Sequence, residues 1–107
     1  WRWTVGRMSR DKGARGEREV ATILRAAGYD VGRSSQTAGA RQCDVDGAGL
    51  PVWIEVKRGK RVGVRAAFRQ ACGDTDGREP VVAWRDDRGE WMVCLRLEPF
   101  VRMMAGL

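Results

Sequence analysis

Histidine is absent from this chain of 107 residues. That excludes a Ser-His-Asp triad and an imidazole general base. Cysteine is scarce: Cys43, Cys72 and Cys94 are odd in number and scattered, with no C-x-x-C pair. Without histidine or paired cysteines there is no ligand set for a structural zinc site. Any catalysis is therefore left to carboxylates, lysine, hydroxyls or a hard metal ion. Long apolar runs are missing too. None approaches membrane-spanning length, and no signal-peptide pattern is visible, so a cytoplasmic protein without a membrane partner is expected. Repeats, low-complexity tracts and disorder-type composition are likewise lacking.

What is abundant is positive charge. Lys and Arg total 20 against 14 Asp and Glu, a formal net charge of +6. Most of the cations are arginines, whose planar fork grips phosphate bidentately. A small basic domain of this kind points to a nucleic-acid partner. The competing explanation is a solubility bias or an arginine-rich genome. The length suits one domain with a modest core, placed at residues 11–107. Residues 1–10, WRWTVGRMSR, are basic and aromatic without clear periodicity. They read as an N-terminal arm, either touching nucleic acid or preceding a start at Met8.

Hydrophobic spacing divides the rest. Val20, Ile23, Leu24 and Ala27 follow i, i+3, i+4, i+7, which predicts a helix over residues 11–27 with Gly28 at its C′ position. A short strand is expected over 29–33 and a polar, turn-rich loop over 34–42. Residues 43–46 and 52–57 read as a hairpin. A second helix over 64–72 has Val64, Ala67, Phe68, Ala71 and Cys72 on one stripe and Arg65, Arg69 and Gln70 on the other face. Strands over 80–85 and 91–96 follow, then a short helix over 99–104 with Pro99 in its first turn. The order α-β-β-β-α-β-β-α predicts an α/β fold. Its first three strands form an antiparallel meander, and a strand–helix–strand crossover makes the sheet mixed.

The chemistry concentrates in Trp53-Ile54-Glu55-Val56-Lys57, read with Asp44 upstream as D-x10-E-x-K. Alternation in a strand puts Trp53, Glu55 and Lys57 on one face and Ile54 and Val56 on the other. Charge on an otherwise apolar strand is costly unless it is solvated, paired or bound to an ion. Two carboxylates converging on one point suit Mg²⁺, and a nearby ammonium can align a water. The bland alternative is a solvated or ion-paired strand face.

With those residues in place, the chain resembles the PD-(D/E)xK nuclease superfamily, and within it the archaeal-type Holliday junction resolvases. The likeness runs from Lys12 to about Leu97. It is carried by Lys12-Gly13-Ala14-Arg15-Gly16-Glu17-Arg18-Glu19, Gly28-Tyr29-Asp30-Val31, Arg33-Ser34, Asp44, Ile54-Glu55-Val56-Lys57, Pro80-Val81-Val82 and Trp91. The resemblance implies a restriction-endonuclease-like αβββαβ core with an extra strand and a short C-terminal helix. It implies Mg²⁺, with Mn²⁺ as a substitute, held by Asp44, Glu55 and the Val56 carbonyl. Lys57 would position the attacking water, and Glu17 would approach through water or a second ion. Lys12, Arg15, Arg18, Arg33, Ser34, Ser35, Arg41, Arg58, Lys60, Arg61, Arg65 and Gln70 would contact DNA. Several of these arginines and lysines can equally be ordinary solvated charge, and Glu17 a first-turn acid favoured by the helix dipole.

The chain departs from the family pattern where Cys43 replaces the usual Pro before the metal-binding Asp, and in a longer 34–42 loop. Asp46 is a competing carboxylate on the same strand face as Asp44. It abuts the Gly47 turn and reads as a turn residue. The implied function is a Mg²⁺-dependent, structure-selective endonuclease acting as a homodimer on branched or duplex DNA, without a small-molecule cofactor. The alternatives are a restriction-like, nicking or repair nuclease on other DNA structures, or a DNA-binding module without chemistry. Trp53, Trp84 and Trp91 read as core. Surplus apolar residues in the last segments (Trp84, Trp91, Met92, Phe100, Val101, Met103 and Met104) predict a self-complementary patch.

Overall fold

A computed structural model describes residues 2–34 and 43–106, with side chains from Gly13 onward. Helix α1 spans Arg2–Ala26. Three short-to-medium strands follow, β1 (Gly32–Arg33), β2 (Val45–Asp46) and β3 (Val52–Gly59). Helix α2 (Val64–Asp74), β4 (Glu79–Asp86), β5 (Met92–Cys94) and α3 (Leu97–Ala105) complete the chain. The strands form one sheet in the order β1-β2-β3-β4-β5. β3 and β4 are parallel across the α2 connection, and every other pair is antiparallel. This is the mixed α/β sheet expected from the order of elements. Among the described residues no helix is long and apolar enough to cross a membrane.

Alternation along β3 divides the core into two layers. Ile54 and Val56 pack with Val20 and Ala21 of α1, with Val45 and with Ala83. Trp53 packs on the opposite face with Ala67 and Ala71 of α2, with Val82 and with Cys43. Trp84 and Trp91 are partly buried against these layers, so they belong to the core and not to an apolar surplus.

The ends of α1 differ in how far the sequence foretells them. Its C-terminus follows the Gly28 signal. The Gly28 N–H donates to the Arg25 carbonyl at 3.0 Å and the Tyr29 N–H to the Leu24 carbonyl at 3.1 Å, a Schellman motif. Gly28 supplies the left-handed backbone this needs, with φ +103°. The N-terminus does not follow: α1 begins at Arg2, not at residue 11, so 2–10 are helical. Those residues contain no proline to stop a helix, and an extension needs no apolar stripe of its own. Cys72 is also displaced from expectation. Burial in α2 centres on Ala67 and Ala71, and Cys72, one residue further round, is exposed.

Gly16 marks the point where α1 crosses β3. A Cβ there would lie 3.2 Å from Cβ of Arg58, 3.4 Å from Trp91 and 3.5 Å from Val56. Gly16→Leu is expected to lift the helix. Overpacking of about 1–3 kcal/mol outweighs the roughly 0.8–1 kcal/mol of helix propensity gained by replacing glycine. Thermal denaturation should show a midpoint lower by several degrees; an unchanged midpoint would mean that α1 does not bear on β3 at this residue.

Candidate active site

The site forms where β2 stops and β3 runs on. Asp44 precedes β2 at a bend in the chain. Cys43 faces the α2 layer and Val45 faces the α1 layer, although regular alternation would put both on one side. The bend turns Asp44 toward its neighbour strand. Its N–H donates to the Ile54 carbonyl at 3.0 Å, and its Oδ2 accepts the Val56 N–H at 2.7 Å. In extended backbone a residue's N–H and C=O leave by the same edge. The Val56 carbonyl therefore opens on the edge that carries Asp44.

Glu55 is the only buried charged side chain among the described residues, at 5% exposure. Burial, and then the neighbouring Asp44 charge, push its carboxyl from an ordinary 4.5 up to about 7. The two carboxyls are close enough to share a proton, while the Trp53 N–H and the Lys57 ammonium favour the ionised form. The structure thus brings Asp44, Glu55 and Lys57 together.

Asp46 has different partners. Its Oδ1 accepts the Gly47 N–H at 2.8 Å, and both its oxygens receive Arg78, at 2.8 and 3.1 Å. The Arg78 guanidinium holds its carboxyl below the usual range. Asp44 and Asp46 were expected on one strand face; the bend separates their roles, and Asp46 is the turn residue. Cys43 is no nucleophile: burial pushes its thiol up to about 11, and its S–H donates to the Val45 carbonyl at 3.2 Å.

Glu17 stands apart from the acid pair. It accepts Arg33 Nε at 2.6 Å, across sixteen residues of sequence. The Ser34 N–H, next in chain, donates to the Asp44 carbonyl at 3.1 Å. Arg33 on β1 thus ties Glu17 of α1 to the strand that runs beside Asp44. No group of three or more acidic or thiol side chains able to hold a metal occurs among the described residues. The side chains available to a divalent cation are Asp44 and Glu55, with the Val56 carbonyl as a third oxygen.

On the α2 side, Lys57, Arg58, Arg61, Val62, Ala66 and Gln70 help line an open cleft of about 320 Å³. Lys57 thus serves both the acid pair and a basic cleft. Arg58 is held on one side: its guanidinium lies 3.7 Å from Glu19, which also meets Arg85 at 3.6 Å. Arg15, Arg18, Lys60 and Arg65 are exposed. Ser35, Arg41 and the Lys12 side chain lie outside the described residues. Sequence reasoning missed the Glu19 cluster and the part played by Arg78. Nothing in the periodicity marks Arg78, whereas Glu19 sits one turn from Arg15 on a helix whose packing depends on Gly16.

No family model matches this sequence, and no curated protein matches it either. Among solved structures the chain is similar to that of Archaeoglobus fulgidus Hjc, a Holliday junction resolvase from an archaeal hyperthermophile. The TM-score is 0.57 at 25% identity, covering 78% of this chain and 76% of that one. The mixed sheet and its helices are a resolvase-like nuclease fold.

Proposed function

We propose that this chain is a Mg²⁺-dependent, structure-selective DNA endonuclease that hydrolyses phosphodiester bonds in the manner of a Holliday junction resolvase. The observation that carries the reading is the Asp44–Glu55 pair. A buried carboxyl set against a second, partly buried one is expensive to maintain, and such groups cluster at functional sites. Here it sits in a fold shared with a resolvase. Two carboxylates and a carbonyl form an all-oxygen donor set, which fits Mg²⁺ and would also take Mn²⁺.

When bound, the ion supplies Lewis acidity toward a phosphate oxygen and a more acidic water. Asp44 and Glu55 would hold it. Lys57 would hold the attacking water in line and offset charge developing on the phosphate. Arg61 and Gln70, with Lys57 in the same cleft, would carry backbone phosphates beside the cut. Arg33 and Glu17 would flank the opposite side, and exposed Arg15, Arg18, Lys60 and Arg65 would extend the positive field. Binding of this sort reads the backbone and shape of DNA, not its bases.

Cleavage of a four-way junction, a flap and a linear duplex under one Mg²⁺ concentration tests the substrate class. The junction should be cut preferentially; equal cutting of linear duplex would replace the resolvase reading with a restriction-like one. Salt dependence tests the cleft. Arg61→Ala should lower the slope of log K against log salt by about 0.9 for the phosphate lost. An unchanged slope would place Arg61 off the DNA.

Paired cuts on a two-fold symmetric junction call for a C2 homodimer. β5 and α3 leave Met92, Leu97, Phe100, Val101, Met103 and Met104 exposed, from 42% for Met103 to 72% for Leu97. We assign this apolar face to a second copy of the chain. Sedimentation at micromolar concentration should give a dimer, and Phe100→Glu a monomer. A monomer for the unaltered protein, both free and on junction DNA, would leave a nickase as the better account.

A further inference from the structure

We infer that Trp53, pinned by Arg78, is a positioning residue for Glu55. The inference rests on the metal-site reading above and adds a residue to it. Trp53 is 2% exposed, and its indole Nε1–H donates to Glu55 Oε1 at 3.1 Å. The two side chains meet because they lie two residues apart on β3. A buried indole N–H needs an acceptor, and this one has a carboxylate, the stronger kind of partner. Phenylalanine would fill much of the same core without that bond. The chemistry of the bond is therefore separable from the packing.

The ring is in turn fixed from outside. The Arg78 guanidinium lies over it, 5.7 Å from the ring centroid. Arg78 donates to both oxygens of Asp46, to both oxygens of Asp76, at 3.0 and 3.1 Å through Nε, and to the Leu50 carbonyl at 3.2 Å. A cation held at this many points does not swing away. Asp46 and Asp76 fix Arg78, Arg78 lies on Trp53, and Trp53 takes one oxygen of Glu55. The other oxygen, Oε2, is not engaged by Trp53. Groups that orient a metal-binding carboxylate in this way are worth about 10–100-fold in metal affinity or activity.

Trp53→Phe is the test. Calorimetry of Mg²⁺ binding and the Mg²⁺ concentration for half-maximal junction cleavage should both rise by about tenfold or more. The affinity for junction DNA in EDTA should be unchanged, which a purely structural role would not predict alongside a metal defect. A second measurement uses the unaltered protein and does not depend on any variant's folding. The indole N–H resonance of Trp53 in the unaltered protein, with ¹⁵N-labelled tryptophan, should move on Mg²⁺ titration and saturate with the calorimetric curve. An unaltered Mg²⁺ requirement in Trp53→Phe, or an indole resonance indifferent to Mg²⁺, overturns the inference and leaves the nuclease reading intact. Absence of any Mg²⁺ binding by the unaltered protein overturns both.

Discussion

Glu55→Gln and Asp44→Asn are each expected to reduce junction cleavage about a thousandfold or more while leaving DNA affinity in EDTA nearly intact. Lewis-acid stabilisation by a bound metal is worth several kcal/mol, and about 4 kcal/mol is a thousandfold in rate. Each substitution removes one of only two carboxylates that meet at this edge of the sheet, and the protein has no third acid grouped with them among the described residues. Nearby acids offer no replacement: Glu17 is committed to Arg33 and Asp46 to Arg78. DNA affinity should persist because the proposed phosphate contacts run through Arg61, Gln70 and the exposed arginines, not through the acid pair. A gel-based cleavage assay beside a binding titration checks both halves. A variant that cuts at near the unaltered rate in Mg²⁺ would mean the metal sits elsewhere.

The second large effect is on stability, with the opposite sign. Burial and Asp44 keep Glu55 protonated in the fold up to about pH 7, whereas the unfolded chain ionises it near 4.5. Between these values the folded state binds more protons than the unfolded one, so stability falls as pH rises through that window and stays lower above it. At about 1.4 kcal/mol per unit, a rise from 4.5 to about 7 makes the loss roughly 3 kcal/mol. Glu55→Gln is neutral at every pH and should escape it. Without metal at pH 8 the inactive variant should therefore be the more stable protein. Saturating Mg²⁺ should reverse the ranking, since a ligand at about a thousand times its Kd adds about 4.1 kcal/mol to the form that binds it. Urea denaturation at pH 5 and pH 8, with and without Mg²⁺, reads all four states. A Glu55→Gln protein less stable than its parent at pH 8 without metal would show that the carboxylate is satisfied by its surroundings.

Much of this arrangement follows from local rules. Period-two alternation places Trp53, Glu55 and Lys57 on one face of β3 and Ile54 and Val56 on the other, and the two core layers keep that division. The Gly28 stop and the parallel β3–α2–β4 unit were legible for the same reason: each depends on neighbours in sequence. The bend at Asp44 was not. It breaks the alternation that a strand reading assumes, and it is what turns Asp44 to the Val56 N–H. The Glu17–Arg33 pair spans sixteen residues and the Arg78–Asp46 pair thirty-two, contacts that only the folded sheet creates. The helical state of residues 2–10 escaped because the few apolar residues there do not sustain a clear helical period.

Cleavage of a labelled four-way junction by the unaltered protein, in Mg²⁺ and again in EDTA, with Asp44→Asn beside it, addresses the central claim most directly. The account predicts paired strand cuts in Mg²⁺, none in EDTA and none from the variant, with all three samples binding the junction. Cutting that survives EDTA, or that Asp44→Asn performs as well as its parent, would contradict it.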